Sequence, residues 1–218
     1  MFTVIKLGGC NGSGKTSVAK ALIKLTKGAP IETKLLSGKR TDVHVGLYNG
    51  TPVHVLGRYE NACGGMDTIS DKYDRFELVR KAVLGDNRYT NGLIVFFEGL
   101  ITGKTYGALG ELSEQHYKRK AGRWLYAFMD TPFDVCVERV GQRRAAAGKG
   151  MEGFDPERTM RPTFNSCLHL AEKLMGERVG RTPIPSYHHV MMLDHSKKPA
   201  TLAKQLLARA MEIQCEGF

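Results

Sequence analysis

Short apolar runs alternate along the chain with longer stretches in which apolar residues recur every three to four positions. Continuous apolar runs bounded by turn residues are typical of buried strands, and the longer periodic stretches are typical of amphipathic helices. This alternation predicts an α/β fold around a largely parallel sheet. The predicted strands are 3–7, 43–48, 52–56, 92–97, 124–129 and 190–193, and the predicted helices are 15–25, 71–84, 132–147, 164–175 and 199–213.

Turn chemistry predicts a hairpin within this order. Asn49-Gly50 separates the strands 43–48 and 52–56, and this dipeptide favours a two-residue hairpin turn. The segment 148–188 is rich in Gly, Arg and Pro, so we expect loops there around the one helix. The chain has 218 residues and shows no repeat, low-complexity segment or linker, which indicates a single domain spanning 1–218.

The charge balance narrows the class of partner. Lys and Arg total 32 against 22 acids, for a net charge of +10, and such an excess suits a polyanion or a phosphorylated substrate. Residues 1–40 contain eight of these cations and one acid, Glu32. That segment is interpreted either as a solvated charged face or as a nucleic-acid track. No run of about 18 apolar residues occurs, which excludes a membrane span. Five scattered cysteines without a CxxC pair indicate reduced thiols and a cytoplasmic protein.

The most specific motif follows the first predicted strand. Gly9-Cys10-Asn11-Gly12-Ser13-Gly14-Lys15-Thr16 fits G-x-x-x-x-G-K-[ST] between a strand and a helix. Glycines let the backbone fold around an anion, and the following helix presents its positive end to it. Lys15 is then expected on the β- and γ-phosphates of ATP, and the Thr16 hydroxyl on Mg²⁺. The alternative is an ordinary glycine-rich turn. The predicted nucleotide-binding residues here are Gly9, Asn11, Gly12, Ser13, Gly14, Lys15, Thr16 and Ser17.

Two further stretches resemble small nucleoside and nucleotide kinases. The run from Leu125 to Pro132, with the arginine-rich helix after it, is similar to the fourth strand and lid of those enzymes. The resemblance implies a P-loop NTPase three-layer sandwich with a mainly parallel central sheet, an inserted β-hairpin and a helical lid at about 139–160. It also implies that the lid closes on the transferring phosphoryl group through Arg139, Arg143 and Arg144, although an arginine-rich helix surface is the alternative. Asp194 and Ser196 lie where this family often contacts adenine.

The middle of the chain resembles a bacteriophage group of P-loop kinases that phosphorylate 5-hydroxymethyluracil in DNA. The resemblance rests on Gly57-Arg58-Tyr59, on the stretch from Gly64 to Ile69, and on Val95-Phe96-Phe97-Glu98-Gly99-Leu100. It implies an ATP- and Mg²⁺-dependent phosphotransferase with DNA as partner, in the cytoplasm of an infected host cell, and it allows a homodimer. A kinase of free nucleosides or nucleoside monophosphates is the alternative. A nucleotide-dependent switch without transferase activity is the third hypothesis.

Two acids are candidates for the chemistry of such a kinase. Glu98 ends the strand 92–97 at the edge where ligands gather in open α/β sheets, so it is expected on the metal side. Asp67 follows the second hairpin strand and is expected as the general base for the acceptor hydroxyl. The reverse assignment is left open, and Asp67 could instead cap a helix.

The acceptor side has further candidates. Arg58 and Tyr59 are expected to hold a DNA phosphate or to stack on a base, with a core position as the alternative for Tyr59. Lys104 and Tyr106 follow Glu98-Gly99 and are expected to line the same side.

Overall fold

One seven-stranded sheet organises the protein. The computed structural model describes residues 1–60, 64–84, 92–99, 107–176 and 188–216. Across the sheet the strand order is β2-β3-β4-β5-β1-β6-β7. The strands are β1 (Phe2–Gly8), β2 (Ala29–Lys34), β3 (Arg40–Tyr48), β4 (Thr51–Leu56), β5 (Leu93–Glu98), β6 (Gly122–Asp130) and β7 (His188–Asp194).

The sheet is mostly parallel. Strand β1 pairs in parallel with β5 and β6, β4 pairs in parallel with β5, and β6 pairs in parallel with β7. Strands β2, β3 and β4 are antiparallel to one another at one side of the sheet. The predicted hairpin is confirmed, since Asn49 and Gly50 join β3 to β4 with φ values of 48° and 80°. All six predicted strands are confirmed, and 92–97 is the central one of the order.

Helices cover both faces of the sheet. Along β1, Ile5 and Leu7 pack with α1 and α7, whereas Phe2 and Val4 pack with α2, α3 and α6. Two neighbouring residues of a strand point to opposite faces, so this continuous apolar strand builds both cores. The helices are α1 (Lys15–Thr26), α2 (Lys72–Leu84), α3 (Gly107–Lys118), α4 (Phe133–Ala146), α5 (Pro156–Thr159), α6 (Arg161–Met175) and α7 (Pro199–Cys215).

Three of these elements were not predicted from the sequence. Strand β2 lies at the sheet edge and is almost entirely exposed, so its sequence shows no apolar run. Helix α3 contains two glycines, which weaken a helical pattern. It is held instead by tertiary contacts: Trp124 Nε1 donates to His116 Nδ1 at 3.2 Å, and the Tyr126 hydroxyl donates to Ser113 Oγ at 3.1 Å. Helix α5 is a single turn. No helix in the described part of the chain has the length and apolar character needed to cross a bilayer.

A buried lysine interrupts the apolar pattern of β1. Lys6 is 1% exposed, and its Nζ lies 5.2 Å from the centre of the Tyr126 ring. Burial lowers the pKa of Lys6 from 10.5 to about 7, because the charged form loses its hydration. The folded protein therefore holds this proton less tightly than the unfolded chain. Burial of the Lys6 ammonium lowers the free energy of unfolding by its full amount below about pH 7. This destabilisation decreases as the pH rises from 7 and is lost above about pH 10.5.

We expect Lys6→Met to raise the free energy of unfolding by about 4 kcal/mol at pH 7, and by about 1 kcal/mol at pH 9.5. Urea unfolding at the two pH values measures both gains. Lys20→Met, on the exposed face of α1, controls for the loss of a lysine charge. A gain of equal size at both pH values would show that the ammonium of Lys6 carries no cost of burial.

Candidate active site

The glycine-rich loop Gly9–Thr16 lies at the carboxyl edge of the sheet, between β1 and α1. It packs closely against α4: a Cβ atom on Gly12 would lie 2.2 Å from the carbonyl oxygen of Cys136. Gly12 also has a φ of 80°, so both space and backbone conformation require glycine there. The Thr131 hydroxyl donates to Ser13 O at 3.0 Å and fastens the loop to the end of β6.

The interior of the glycine-rich loop is arranged for an anion. Lys15 is buried, and its Nζ donates to Gly9 O and Cys10 O, each at 2.9 Å. The hydroxyl of Ser13 is buried and has no hydrogen-bond partner among the described residues. A buried, unpaired hydroxyl is costly unless a ligand completes it. Together with the N-terminus of α1, these groups fit the phosphate oxygens of a nucleotide.

Glu98 stands beside the glycine-rich loop at the end of β5. It is 1% exposed, and its Oε1 accepts a hydrogen bond of 3.1 Å from the Thr16 hydroxyl. Burial raises the pKa of Glu98 to about 7, and the nearby Asp67 carboxylate acts in the same direction, while Lys15 and the Thr16 hydrogen bond oppose the rise. A carboxylate and a hydroxyl side by side are the oxygen donors that Mg²⁺ prefers, so the residues fit this ion.

Asp67 lies near Glu98, since its negative charge contributes to the raised pKa of Glu98. It lies in a one-turn 3₁₀ helix, Met66–Thr68, and does not cap α2. The cap of α2 is Asp71, whose Oδ1 accepts from Tyr73 N at 2.7 Å and from Asp74 N at 3.0 Å. Gly65 positions the turn, because a Cβ there would lie 2.7 Å from Glu98 Oε1. Gly65 therefore allows the turn that carries Asp67 to pack directly against Glu98.

Lys15, Thr16, Glu98 and Asp67 line one cavity of about 510 Å³, which we call the loop cavity. It brings together twelve of the residues predicted from the sequence, whereas the predicted Gly9 does not line it. The twelve are Asn11, Gly12, Ser13, Gly14, Lys15, Thr16, Ser17, Asp67, Glu98, Arg139, Arg143 and Ser196.

Comparison with known proteins identifies the family. No protein-family model matches the chain. The chain is 31% identical over 177 residues to a 5-hmdU DNA kinase of Pseudomonas phage PaMx11, covering 78% of this chain and 84% of the relative. The chain belongs to the 5-hmdU DNA kinase family.

Two further 5-hmdU DNA kinases are similar. The protein of Pseudomonas phage M6 is 29% identical over 140 residues, which is 64% of this chain and 71% of the relative. The protein of Delftia phage PhiW-14 is 29% identical over 153 residues, which is 66% of this chain and 54% of the relative. The resemblance of the chain to the phage kinases of 5-hydroxymethyluracil in DNA is confirmed, and the chain is an enzyme that acts as a kinase.

In this member of the 5-hmdU DNA kinase family, two of the three candidate arginines of α4 line the loop cavity and the third does not. Arg139 and Arg143 are four residues apart, on one helix face, and both line the loop cavity. Arg139 Nη1 donates to Gly12 O at 3.5 Å. Arg144 is turned away by one further residue: its Nε donates to Gly150 O at 3.0 Å, and its guanidinium lies 4.7 Å from the Phe154 ring. Arg144 therefore holds the segment after α4 and does not line the cavity.

The loop after β7 lines the loop cavity with residues that follow the predicted Asp194. Asp194 is exposed, and its Oδ1 accepts from the Ser196 backbone and hydroxyl at 2.9 and 2.7 Å, which lowers its pKa. Asp194 fixes this turn, and the five residues after it line the loop cavity. The run Lys197-Lys198-Pro199, which ends on the first residue of α7, is the sequence signal that could have indicated cations at a helix start beside the cavity. The cavity residues not predicted from the sequence as binding or catalytic groups are Val18, Gly64, Met129, His195, Lys197, Lys198, Pro199 and Leu202.

The further candidates for the acceptor side lie in different parts of the chain, and none of those that the structure describes lines the loop cavity. Tyr59 is 5% exposed within the core, and its hydroxyl donates to Leu56 O at 3.1 Å, as the core alternative predicts. Arg58 is exposed and lies 3.5 Å from Asp42, at a second cavity. Lys104 and Tyr106 lie outside the described residues.

Proposed function

We propose that the chain is an ATP- and Mg²⁺-dependent phosphotransferase that phosphorylates the hydroxymethyl group of 5-hydroxymethyluracil in DNA. The proposed architecture is a single P-loop kinase domain over 1–218. The observation that carries the proposal is the convergence of Lys15, the Thr16–Glu98 pair and Asp67 on one cavity at the carboxyl edge of the sheet. The names of the relatives supply the acceptor.

The glycine-rich loop would bind the triphosphate. Lys15 is already desolvated and aligned, so its ammonium would exchange the carbonyls of Gly9 and Cys10 for phosphate oxygens at small cost in reorganisation. The unpaired Ser13 hydroxyl would gain its hydrogen-bond partner. Mg²⁺ would be held by Thr16 and Glu98, where it supplies neutralisation of charge on the phosphate oxygens.

Asp67 is the better candidate for the base. Glu98 is buried and bonded to Thr16, whereas Asp67 is exposed and lines the loop cavity, so an acceptor can reach it. Asp67 would accept the proton of the hydroxymethyl group as its oxygen bonds to the γ-phosphorus and the bond to the β-phosphate oxygen breaks. ADP leaves with the electron pair of that bond.

Arginines of α4 would stabilise the transferring group. Arg139 and Arg143 line the loop cavity from the segment 139–160, the proposed lid. Planar guanidinium groups match the charge that spreads over the phosphoryl oxygens in the transition state. Arg144 would help by fixing the following segment through Gly150 and Phe154.

Transfer of label from γ-³²P-ATP tests the function. We expect oligonucleotides containing 5-hydroxymethyluracil to be labelled, matched thymine oligonucleotides to stay unlabelled, and EDTA to abolish the labelling. Single- and double-stranded forms are compared in parallel. Labelling of the free nucleoside or its monophosphate, with none in DNA, would favour the small-molecule kinase instead. ATP hydrolysis without any labelled acceptor would favour a switch.

A further inference from the structure

A second cavity, of about 240 Å³, lies beside the loop cavity, and we call it the hairpin cavity. Its walls come from the β2–β3 turn, from the end of β4 and from the segment that leads into α2. Three cationic side chains, three hydroxyls and one carboxylate face it. The lining residues are Leu35, Lys39, Arg40, Thr41, Arg58, Thr68, Ile69, Ser70 and Asp74.

The one carboxylate of the hairpin cavity is already occupied. Asp74 Oδ1 accepts from Ser37 N at 2.9 Å, and its Oδ2 accepts from the Ser37 hydroxyl at 2.6 Å. These bonds fasten the β2–β3 turn to α2, and the turn is closed by a bond of 2.8 Å from Leu35 N to Lys39 O. Asp74 therefore has a structural role in the hairpin cavity, and the groups available to a ligand there are the cationic side chains and the hydroxyls.

Two of the three cationic side chains of the hairpin cavity are held by acidic residues of the neighbouring strands. Arg40 pairs with Glu32, and Arg58 Nε lies 3.5 Å from Asp42. Lys39 is exposed and makes no ion pair within 4 Å with a described residue. These groups present donors to a polyanion, and guanidinium groups held by one partner are pre-organised to bind another.

A buried hydroxyl points to a ligand independently of the charge. Thr41 is 2% exposed and lines the hairpin cavity, yet its Oγ1 has no hydrogen-bond partner among the described residues. An unpaired buried hydroxyl is rare in folded proteins, and a bound acceptor oxygen would satisfy it. Thr41 and the cationic mouth thus require the same kind of ligand, one with several anionic oxygens.

The hairpin cavity and the loop cavity are joined by one turn of chain. Asp67 and Thr68 are successive residues of the 3₁₀ helix: Asp67 lines the loop cavity, and Thr68 lines the hairpin cavity. The backbone of Arg58 bridges to Gly65, which packs on Glu98. Because the two cavities share this turn, a polymer that enters the loop cavity passes close to the hairpin cavity.

We propose that the hairpin cavity binds a backbone phosphate of the DNA strand whose modified base enters the loop cavity. This inference rests on the proposed function. The ligand chemistry is a phosphate ester with free anionic oxygens, held by Lys39, Arg58 and the Thr41 hydroxyl. A mononucleotide could offer the same chemistry through its own phosphate, so the experiment separates the two sources.

Fluorescence anisotropy with a labelled single-stranded oligonucleotide, containing one 5-hydroxymethyluracil, measures binding from 50 to 200 mM salt. We expect Lys39→Gln/Arg58→Gln to weaken binding on the order of tenfold to a hundredfold at low salt. The slope of log affinity against log salt should fall by about 1.4, for two lost phosphate contacts on a single strand. Lys204→Gln, an exposed cation on α7, should change neither quantity.

Thr41→Val tests the site without changing charge. We expect the same salt slope as the wild type, affinity lower by roughly twofold to tenfold, and an unchanged or higher free energy of unfolding, because the lost hydroxyl has no partner within the described part of the chain. A purely structural Thr41 would give the opposite pattern, with lower stability and unchanged DNA binding.

The outcomes separate this inference from the proposed function. An unchanged affinity and salt slope in the double variant, or a wild type that does not bind the oligonucleotide, overturns the inference. An equal rise of KM for 5-hydroxymethyl-deoxyuridine monophosphate and for the oligonucleotide overturns the DNA assignment in favour of the mononucleotide. Charge-dependent binding of DNA by a protein that transfers no phosphate supports the hairpin cavity and contradicts the proposed function.

Discussion

Lys15→Met is expected to lower kcat/KM for phosphoryl transfer by about a thousandfold or more, with every acceptor. The Met side chain keeps most of the length of the lysine stem, so the glycine-rich loop retains its packing while the ammonium is lost. That ammonium is buried and held 2.9 Å from two carbonyl oxygens of its own loop, so no water replaces its charge at the phosphates. Initial rates of label transfer, measured at several ATP concentrations with saturating acceptor, give kcat/KM for ATP and hence the loss.

The control for Lys15→Met is Lys20→Met, which removes a lysine from the exposed face of the same helix and should retain full activity. Thermal unfolding of both variants separates lost chemistry from lost folding, since Lys15→Met removes the ammonium donor from Gly9 O and from Cys10 O, although Cys10 O keeps the bond of 3.3 Å from Ser13 N. A well-folded Lys15→Met protein with wild-type transfer would contradict the nucleotide role of the glycine-rich loop.

The parts of the fold that the sequence predicted are those with local signals. Strands such as β5 are buried on both faces and show continuous apolar runs, and Asn49-Gly50 has a turn preference of its own. Strand β2 has neither signal, because it is exposed and owes its conformation to the ladder with β3. Helix α3 likewise depends on the contacts of His116 and Ser113 with β6.

The same division holds for the candidate site. The glycine-rich loop, Thr16 and Glu98 could be predicted because the loop follows β1 and Glu98 ends β5, at the same edge of the sheet. The sequence did not distinguish Arg143 from Arg144, since one residue turns a helical side chain by about 100°. The hairpin cavity could not be predicted either. Its lining comes from segments around positions 35–41, 58 and 68–74, and only the fold brings these together.

Asp67→Asn is expected to lower kcat for transfer to the hydroxymethyl acceptor by about a hundredfold to ten-thousandfold. Asparagine has nearly the same shape, but its amide cannot accept the acceptor proton at neutral pH. Nucleotide affinity should stay within about twofold, because Asp67 belongs to the 3₁₀ helix Met66–Thr68, outside the glycine-rich loop, and is proposed to meet the acceptor. Single-turnover label transfer and ATP titration measure the two quantities. Asp71→Asn is the matched control, since asparagine also caps a helix well.

Glu98→Gln decides which carboxylate has which role. If Glu98 holds the metal with Thr16, its amide variant should need a higher Mg²⁺ concentration for half-maximal transfer, because a neutral amide is a weaker ligand than a carboxylate. Asp67→Asn should leave that concentration unchanged. The reverse pattern, with the Mg²⁺ requirement raised by Asp67→Asn and kcat alone lowered by Glu98→Gln, would exchange the two assignments. The buried position of Glu98 would then make it the base, and its pKa of about 7 would suit that role.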